Sequence, residues 1–166
     1  MLSLGIDPGT ARIGYGLVRE LSDGSLQAVD FGVITTTPNL ALTERLKIIY
    51  DELLALARKH QPDHAGVEEL FFAKNAKTAI TVAHGRGVIL LALVAAGIPI
   101  AEYKPNMIKQ SVCGYGGAPK PQMQEMVRIL LGLEKIPRPD DAADALAIAI
   151  TDIHSSRYSS MADEDY

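Results

Sequence analysis

The chain has a single cysteine, Cys113, among 166 residues, so no internal disulfide can form. It also lacks any Cys or His cluster. His60, His64, His84 and His154 fall at no metal-ligand spacing, which argues against structural zinc. Cys113 reads as a core or helix-face thiol, and the histidines as surface or core residues. No long hydrophobic run is present. The longest, Gly87 to Ala101, is too short and too broken by Gly and Pro to span a bilayer. The chain enters a strand directly, with no basic region followed by a signal-type apolar stretch, so a soluble cytoplasmic protein is expected. Internal repeats are missing too. Nor is there an excess of positive charge: 16 Lys and Arg stand against 20 Asp and Glu, a net −4, the wrong sign for a nucleic-acid binder.

The distribution of charge matters more than its sum. Residues 1–70 carry 6 basic and 10 acidic side chains, and residues 129–166 carry 3 and 8. Residues 71–128 carry Lys74, Lys77, Arg86, Lys104, Lys109, Lys120 and Arg128 against Glu102 and Glu125, a local +5. A basic middle between acidic ends is either a phosphate-tracking surface or a solvated helix face.

Length and a 48% hydrophobic content point to one domain with a sizeable core. Leu2–Asp7, Ile13–Glu20 and Leu26–Ile34 read as three strands on short turns, hence antiparallel. The period then becomes helical over Leu40 to Lys59. A strand at 64–70, a helix from about Asn75 to Ala96 and a strand from Pro99 to Tyr103 follow. Helices from about Pro105, from Lys120 and from Asp140 complete the pattern. It predicts an α/β domain over residues 1–155, with a five-stranded mixed sheet and helices on both faces. Residues 156–166 read as a polar, acidic, disordered tail.

Four acids stand at element ends. Asp7 closes the first strand, Glu68 closes the fourth, and Asp141 and Asp144 lie in the first turns of the last helix. Like charges about 4 Å apart repel by roughly 4 kcal/mol at an effective dielectric near 20. Converging carboxylates therefore want a cation, and hard oxygen donors suit Mg²⁺ or Mn²⁺. Each acid also has an ordinary explanation: Asp before Pro-Gly is turn chemistry, and acids in a first helical turn complement the macrodipole. Asp141 and Asp144, at i and i+3, share a helix face. Asp140 points about 100° away and reads as a cap.

At these residues the chain resembles the RuvC-type Holliday-junction resolvases of the RNase H-like nuclease superfamily. The resemblance rests on Gly5-Ile6-Asp7-Pro8-Gly9-Thr10, Val67-Glu68-Glu69-Leu70-Phe71-Phe72-Ala73-Lys74-Asn75, Arg86-Gly87-Val88, Val127-Arg128 and Asp141-Ala142-Ala143-Asp144-Ala145-Leu146-Ala147-Ile148-Ala149, in family order. It implies an RNase H-like fold and a homodimer that binds four-way DNA junctions and makes two symmetric nicks. The implied chemistry is two-metal hydrolysis with two Mg²⁺ per site, Mn²⁺ substituting, leaving 5′-phosphate ends. Asp7, Glu68, Asp141 and Asp144 would be the metal ligands and catalytic acids, with Asp7 bridging. Lys109 and Lys120, solvent-facing lysines on spacing alone, fall at the family's basic positions near the scissile phosphate and the DNA backbone. Phe71 falls at its base-stacking position, with Phe72 then facing the core. Lys74, Lys77 and Arg86 complete the expected DNA contacts.

The helix from Asn75 carries small residues, including Gly85 and Gly87. They fit packing on the chain's own sheet, and the resemblance places the dimer interface along this element. It also brings the RuvA and RuvB branch-migration proteins as partners. A related nuclease acting on other branched or RNA-containing substrates is the alternative. The first motif also resembles the phosphate loop of actin-like ATPases, but those need a second domain for which 166 residues leave no room. A binding module with a dead nuclease site is disfavoured by the full set of four acids.

Overall fold

The computed structural model describes residues 1–69 and 76–163, apart from the side chains of 76–78 and 158–163. Its strands are β1 (Leu2–Asp7), β2 (Arg12–Glu20), β3 (Leu26–Thr35), β4 (His64–Glu68) and β5 (Ile100–Tyr103). The helices are α1 (Leu42–His60), α2 (Ala76–Ala95), α3 (Pro105–Cys113), α4 (Lys120–Leu130) and α5 (Asp140–Asp163). The sheet runs β3-β2-β1-β4-β5. Its first three strands are antiparallel, and β4 and β5 are parallel to β1. The mixed α/β sheet expected from the sequence is the one found.

One face of the sheet packs on α1 and α2 through Leu4, Ile6, Ile49, Leu53, Ile89 and Leu93. The other packs on α3, α4 and α5 through Val18, Tyr103, Val127, Leu146 and Ile150. β1 is therefore covered on both sides, which explains its nearly continuous apolar run.

α5 lies unusually close to the sheet. A Cβ on Gly5 would stand 2.0 Å from the carbonyl oxygen of Ala145 and 2.5 Å from the amide nitrogen of Ala149. One on Gly14 would stand 2.0 Å from the carbonyl oxygen of Asp141. The helix answers with Ala142, Ala145 and Ala149, all fully buried. Glycine below and alanine above bring the two backbones together, and this fixes the start of α5 over the ends of β1 and β2.

The far part of α5 is anchored by a buried carboxylate. Asp152, 0% exposed, accepts hydrogen bonds from Ser3 Oγ at 2.6 Å and Tyr103 Oη at 2.8 Å, and pairs with His64 Nδ1 at 2.8 Å. One side chain thus ties α5 to β1, β4 and β5. Asp152→Ala would strand the buried donors, and we expect a loss of about 3 kcal/mol, read as a lower urea midpoint at unchanged slope.

The helix continues past Ser155, beyond the end of the folded part expected from the sequence. Ser156 Oγ donates to the carbonyl of Asp152 at 2.9 Å. Arg157 reaches back to Glu20 at 2.6 Å and to the carbonyl of Gly24 at 2.8 Å.

Candidate active site

Asp7 and Glu68 leave the sheet side by side. Ile6 pairs with Val67 in the parallel β1–β4 ladder, so the next residue on each strand is an acid at the same edge. On the other side Asp7 pairs with Gly14 of β2, the glycine that admits the Asp141 backbone. Strand order, register and one missing side chain thus converge the four acids.

Their electrostatics record that convergence. Burial pushes the Asp7 carboxyl from 3.8 up to about 8, reinforced by the charges of Glu68, Asp144 and Asp141 and relieved only by Lys120. Burial also raises Glu68, with Asp144 adding to it and Lys109 and Lys120 opposing. Asp144 is raised by burial against the pull of Lys120. A half-buried group of carboxylates that disfavour one another's charge is the mark of a site built for something else positive.

Lys120 supplies part of that charge. It is the first residue of α4, where the positive end of the helix dipole repels an ammonium. Its Nζ donates to Asp144 at 2.9 Å and stands 3.8 Å from Asp140, and the hydrogen bond to Asp144 is the main reason its pKa rises. A lysine at a helix N-terminus is thus held in place by the acids in front of it. Glu68, Lys109, Lys120 and Asp144 line one cleft of about 210 Å³.

Asp140, expected to cap α5, has other partners. Its carboxylate accepts a hydrogen bond from Arg138 and faces Lys120 at 3.8 Å. Asp141, not Asp140, lies over the strand ends, as the shared-face spacing with Asp144 required.

Among the described residues no three His, Cys, Asp or Glu side chains stand close enough to ligate one ion as they are. The donor set nevertheless fits a hard divalent cation. It is all carboxylate oxygen, half-buried, and burial and mutual repulsion favour protons on Asp7, Glu68 and Asp144 unless positive charge replaces them.

Residues 3–152 match the protein family described as "Crossover junction endodeoxyribonuclease RuvC". The chain belongs to the RuvC family. The RuvC of Roseiflexus sp. (strain RS-1) is 58% identical over 148 residues, which cover 89% of this chain and 88% of that protein. Among solved structures, Thermus thermophilus RuvC superposes with a TM-score of 0.89 at 35% identity, covering 96% of this chain and 97% of its own. T. thermophilus RuvC in complex with Holliday junction substrate gives 0.87 at 33% identity, covering 95% and 96%. RuvC membership makes this chain's class of activity metal-dependent endonucleolytic cleavage of crossover junctions.

Other expected RuvC contacts are unevenly placed. Phe71, Phe72 and Lys74 lie outside the described residues, and so does the Lys77 side chain. Arg86 is 22% exposed and pairs with Glu102 of β5, which ties α2 to the sheet edge. Gly85 packs on the Pro8-Gly9-Thr10 turn, its missing Cβ 2.8 Å from Thr10 Cγ2. That small residue serves the fold of its own chain by letting α2 brace the turn after Asp7. Gly87 faces open space.

Two residues beside the acids are not picked out by the sequence. Arg12 opens β2 with its Nε 3.6 Å from Asp141, and Arg138 stands just ahead of α5. Both lie in the acidic ends of the chain, where windowed charge hides them. The available signal was position: Arg12 follows Asp7 by five residues, and Arg138 precedes Asp141 by three.

Proposed function

We propose that the chain cuts two opposed strands of a four-way DNA junction, with Asp7, Glu68, Asp141 and Asp144 holding two divalent cations, Mg²⁺ with Mn²⁺ as a working substitute. The observation that carries this is the Asp7 carboxyl, held near pKa 8 among three other acids at the end of the central strand in a chain of the RuvC family. When bound, the cations activate water and neutralise the phosphate undergoing displacement. The chain's own groups do the rest. Asp7, where the fields of the other three acids meet, would hold the cations together with Glu68, Asp141 and Asp144. Lys120, paired with Asp144 in the free protein, would turn its ammonium to the scissile phosphate once Asp144 holds a cation. Lys109, across the cleft beside Glu68, holds the neighbouring backbone. The product ends are 5′-phosphate and 3′-hydroxyl. Phe71 stacks on a base at the opened crossover, and Lys74, Lys77 and Arg86 support the backbone.

A second copy completes the enzyme. α2 buries Ile89, Ala92 and Leu93 against its own core, yet Ile80, Leu91 and Val94 are 60%, 59% and 64% exposed. They recur at helical spacing along one face, with Ala83 and Gly87 exposed between them. An exposed apolar stripe of this kind fits an isologous contact, and a two-fold axis gives two sites for two symmetric cuts. Leu91→Glu combined with Val94→Glu should halve the mass seen by light scattering, abolish paired nicking and leave the monomer folded. An unchanged mass would place the dimer elsewhere.

Residues 1–155 form the nuclease domain, and α5 carries Ser156 and Arg157 beyond it, with Arg157 fastened to Glu20 and Gly24. The protein works in the cytoplasm, on junctions moved by branch-migration proteins of the RuvA and RuvB type.

A labelled four-way junction, the matched duplex and an RNA–DNA hybrid, each with Mg²⁺ and with EDTA, test the function. Paired nicks on the junction alone, lost in EDTA, are expected. Cleavage of duplex or hybrid in preference would keep the acid chemistry and overturn the substrate. Replacing Lys120 with Ala should lower the nicking rate at saturating junction by about 10²-fold or more. The far-ultraviolet circular dichroism should not change.

A further inference from the structure

The acids at the head of α5 have two flanks, and the lysines occupy one. On the other lies a separate groove of about 600 Å³ lined by Arg12, Arg138, Pro139, Asp140 and Asp141. The side chains of Arg12 and Arg138 are 58% and 67% exposed, and they come from the start of β2 and the approach to α5. Arg12 is loosely tied: its Nε stands 3.6 Å from the Asp141 carboxylate, beyond ordinary hydrogen-bond length. Two exposed planar forks beside one carboxylate row form a surface with unused donors, and guanidinium donors match phosphate oxygens in pairs.

We infer that Arg12 and Arg138 form a second backbone clamp, taking a phosphate of the cleaved strand on the side of the acids opposite Lys109 and Lys120. The inference rests on the nuclease reading above and extends it. A strand whose scissile phosphate lies over Asp7 must leave the site in two directions. Lys109 and Lys120 line one cleft beside the acids, and the arginines line another. The local charges fit this use. Arg12 and Arg138 balance Asp140 and Asp141 in the groove of the free protein, so it is neutral until Asp141 is otherwise neutralised. At that point Arg12, which faces Asp141, becomes free for the backbone, while Arg138 keeps its pair with Asp140 and offers its remaining donors. Backbone contacts of this kind set register and affinity without reading sequence.

The test is junction binding in EDTA and in Ca²⁺, by fluorescence anisotropy across a series of salt concentrations. The proteins are wild type, Arg12→Gln, Arg138→Gln, the double variant, and Lys59→Gln as a charge control. Lys59 is 70% exposed on α1, packed on the other face of the sheet, so its loss matches the charge change of a single arginine variant without touching the groove. Each contact removed should make the slope of log K against log salt shallower by about 0.9. The double variant should bind several-fold to tenfold more weakly at moderate salt, alike on junctions of different sequence, with the larger loss in Ca²⁺. Lys59→Gln should match wild type.

Two results would overturn the clamp: a double variant with the wild-type slope, or a Lys59→Gln loss equal to that of the arginine variants. Melting temperatures within about 2 °C of wild type separate lost contact from lost fold. If wild type itself showed no preference for the junction over duplex, the resolvase reading would fail first. An intact wild-type preference with unaffected arginine variants would sink the clamp alone.

Discussion

Asp7→Asn should melt at a higher temperature than wild type in EDTA at pH 8, yet make no nicks. The folded chain keeps the Asp7 proton up to about pH 8, whereas an ordinary aspartate releases it near 3.8. Folding therefore takes up a proton between those values, and metal-free stability falls as pH rises from about 4 to about 8 and levels off above. Glu68 and Asp144 are shifted the same way and deepen the decline. The amide removes the largest contributor. One pKa unit is worth about 1.4 kcal/mol. Even heavily screened, the gain at pH 8 should be about 2 kcal/mol, or about 4–8 °C for a chain of this size. At pH 5 the difference should shrink, because Asp7 is then protonated in the folded chain. Mg²⁺ should raise the wild-type melting temperature and move the variant little. Scanning calorimetry at pH 5 and pH 8, with and without Mg²⁺, checks all of this together with one cleavage assay. A variant less stable than wild type at pH 8 would mean that Asp7 belongs to the structure rather than to a strained site.

Gly14→Ala should cost stability and activity together. Its new methyl would lie 2.0 Å from the Asp141 carbonyl oxygen and 2.5 Å from the carbonyl carbon. No rotamer relieves a Cβ clash with backbone, so the first turn of α5 must lift. Overpacking of this sort costs about 1–3 kcal/mol, and the upper end is expected because the displaced group is main chain. Lifting that turn also carries Asp141 and Asp144 away from Asp7 and Glu68, so nicking should fall by at least about 10²-fold, since small misplacements cost that much. The Asp7 titration should shift downward as its acidic neighbours recede. Gly5→Ala, further along the helix against Ala145 and Ala149, should lose comparable stability while sparing more of the activity. Equal loss of activity in both would show that α5 moves as one rigid body.

The two glycines also mark the limit of what the sequence makes legible. Asp7 and Glu68 are legible because a short apolar strand ends visibly in each, and Asp141 with Asp144 because i and i+3 share a helix face. Those are local signals. Gly5 and Gly14 read only as strand residues, since what makes them glycine is a helix more than a hundred residues later in the chain. Arg12 and Arg138 are invisible for a related reason. Charge counted along the sequence places the basic surface at 71–128, while the fold sets two arginines from acidic stretches beside the acids. Arg86, within that basic stretch, pairs with Glu102 in the free protein. Asp140 reads as a cap because the first helical turn favours it, and the side chains of Arg138 and Lys120 take its carboxylate instead. The sequence understates the length of α5 because its polar second half lacks an apolar stripe, and Arg157 fastens it through Glu20 instead.

The proposed chemistry depends on the four carboxylates acting as one cation-binding unit. Calorimetric titration of Mn²⁺ into the protein at pH 6.5 and pH 8.5, in two buffers of different ionisation enthalpy, tests that most directly. Binding should tighten with pH and release protons, and Asp7→Asn should lose most of the affinity together with the proton release. If Asp7→Asn bound Mn²⁺ as tightly as wild type, with the same dependence on pH, the acids would not form that unit.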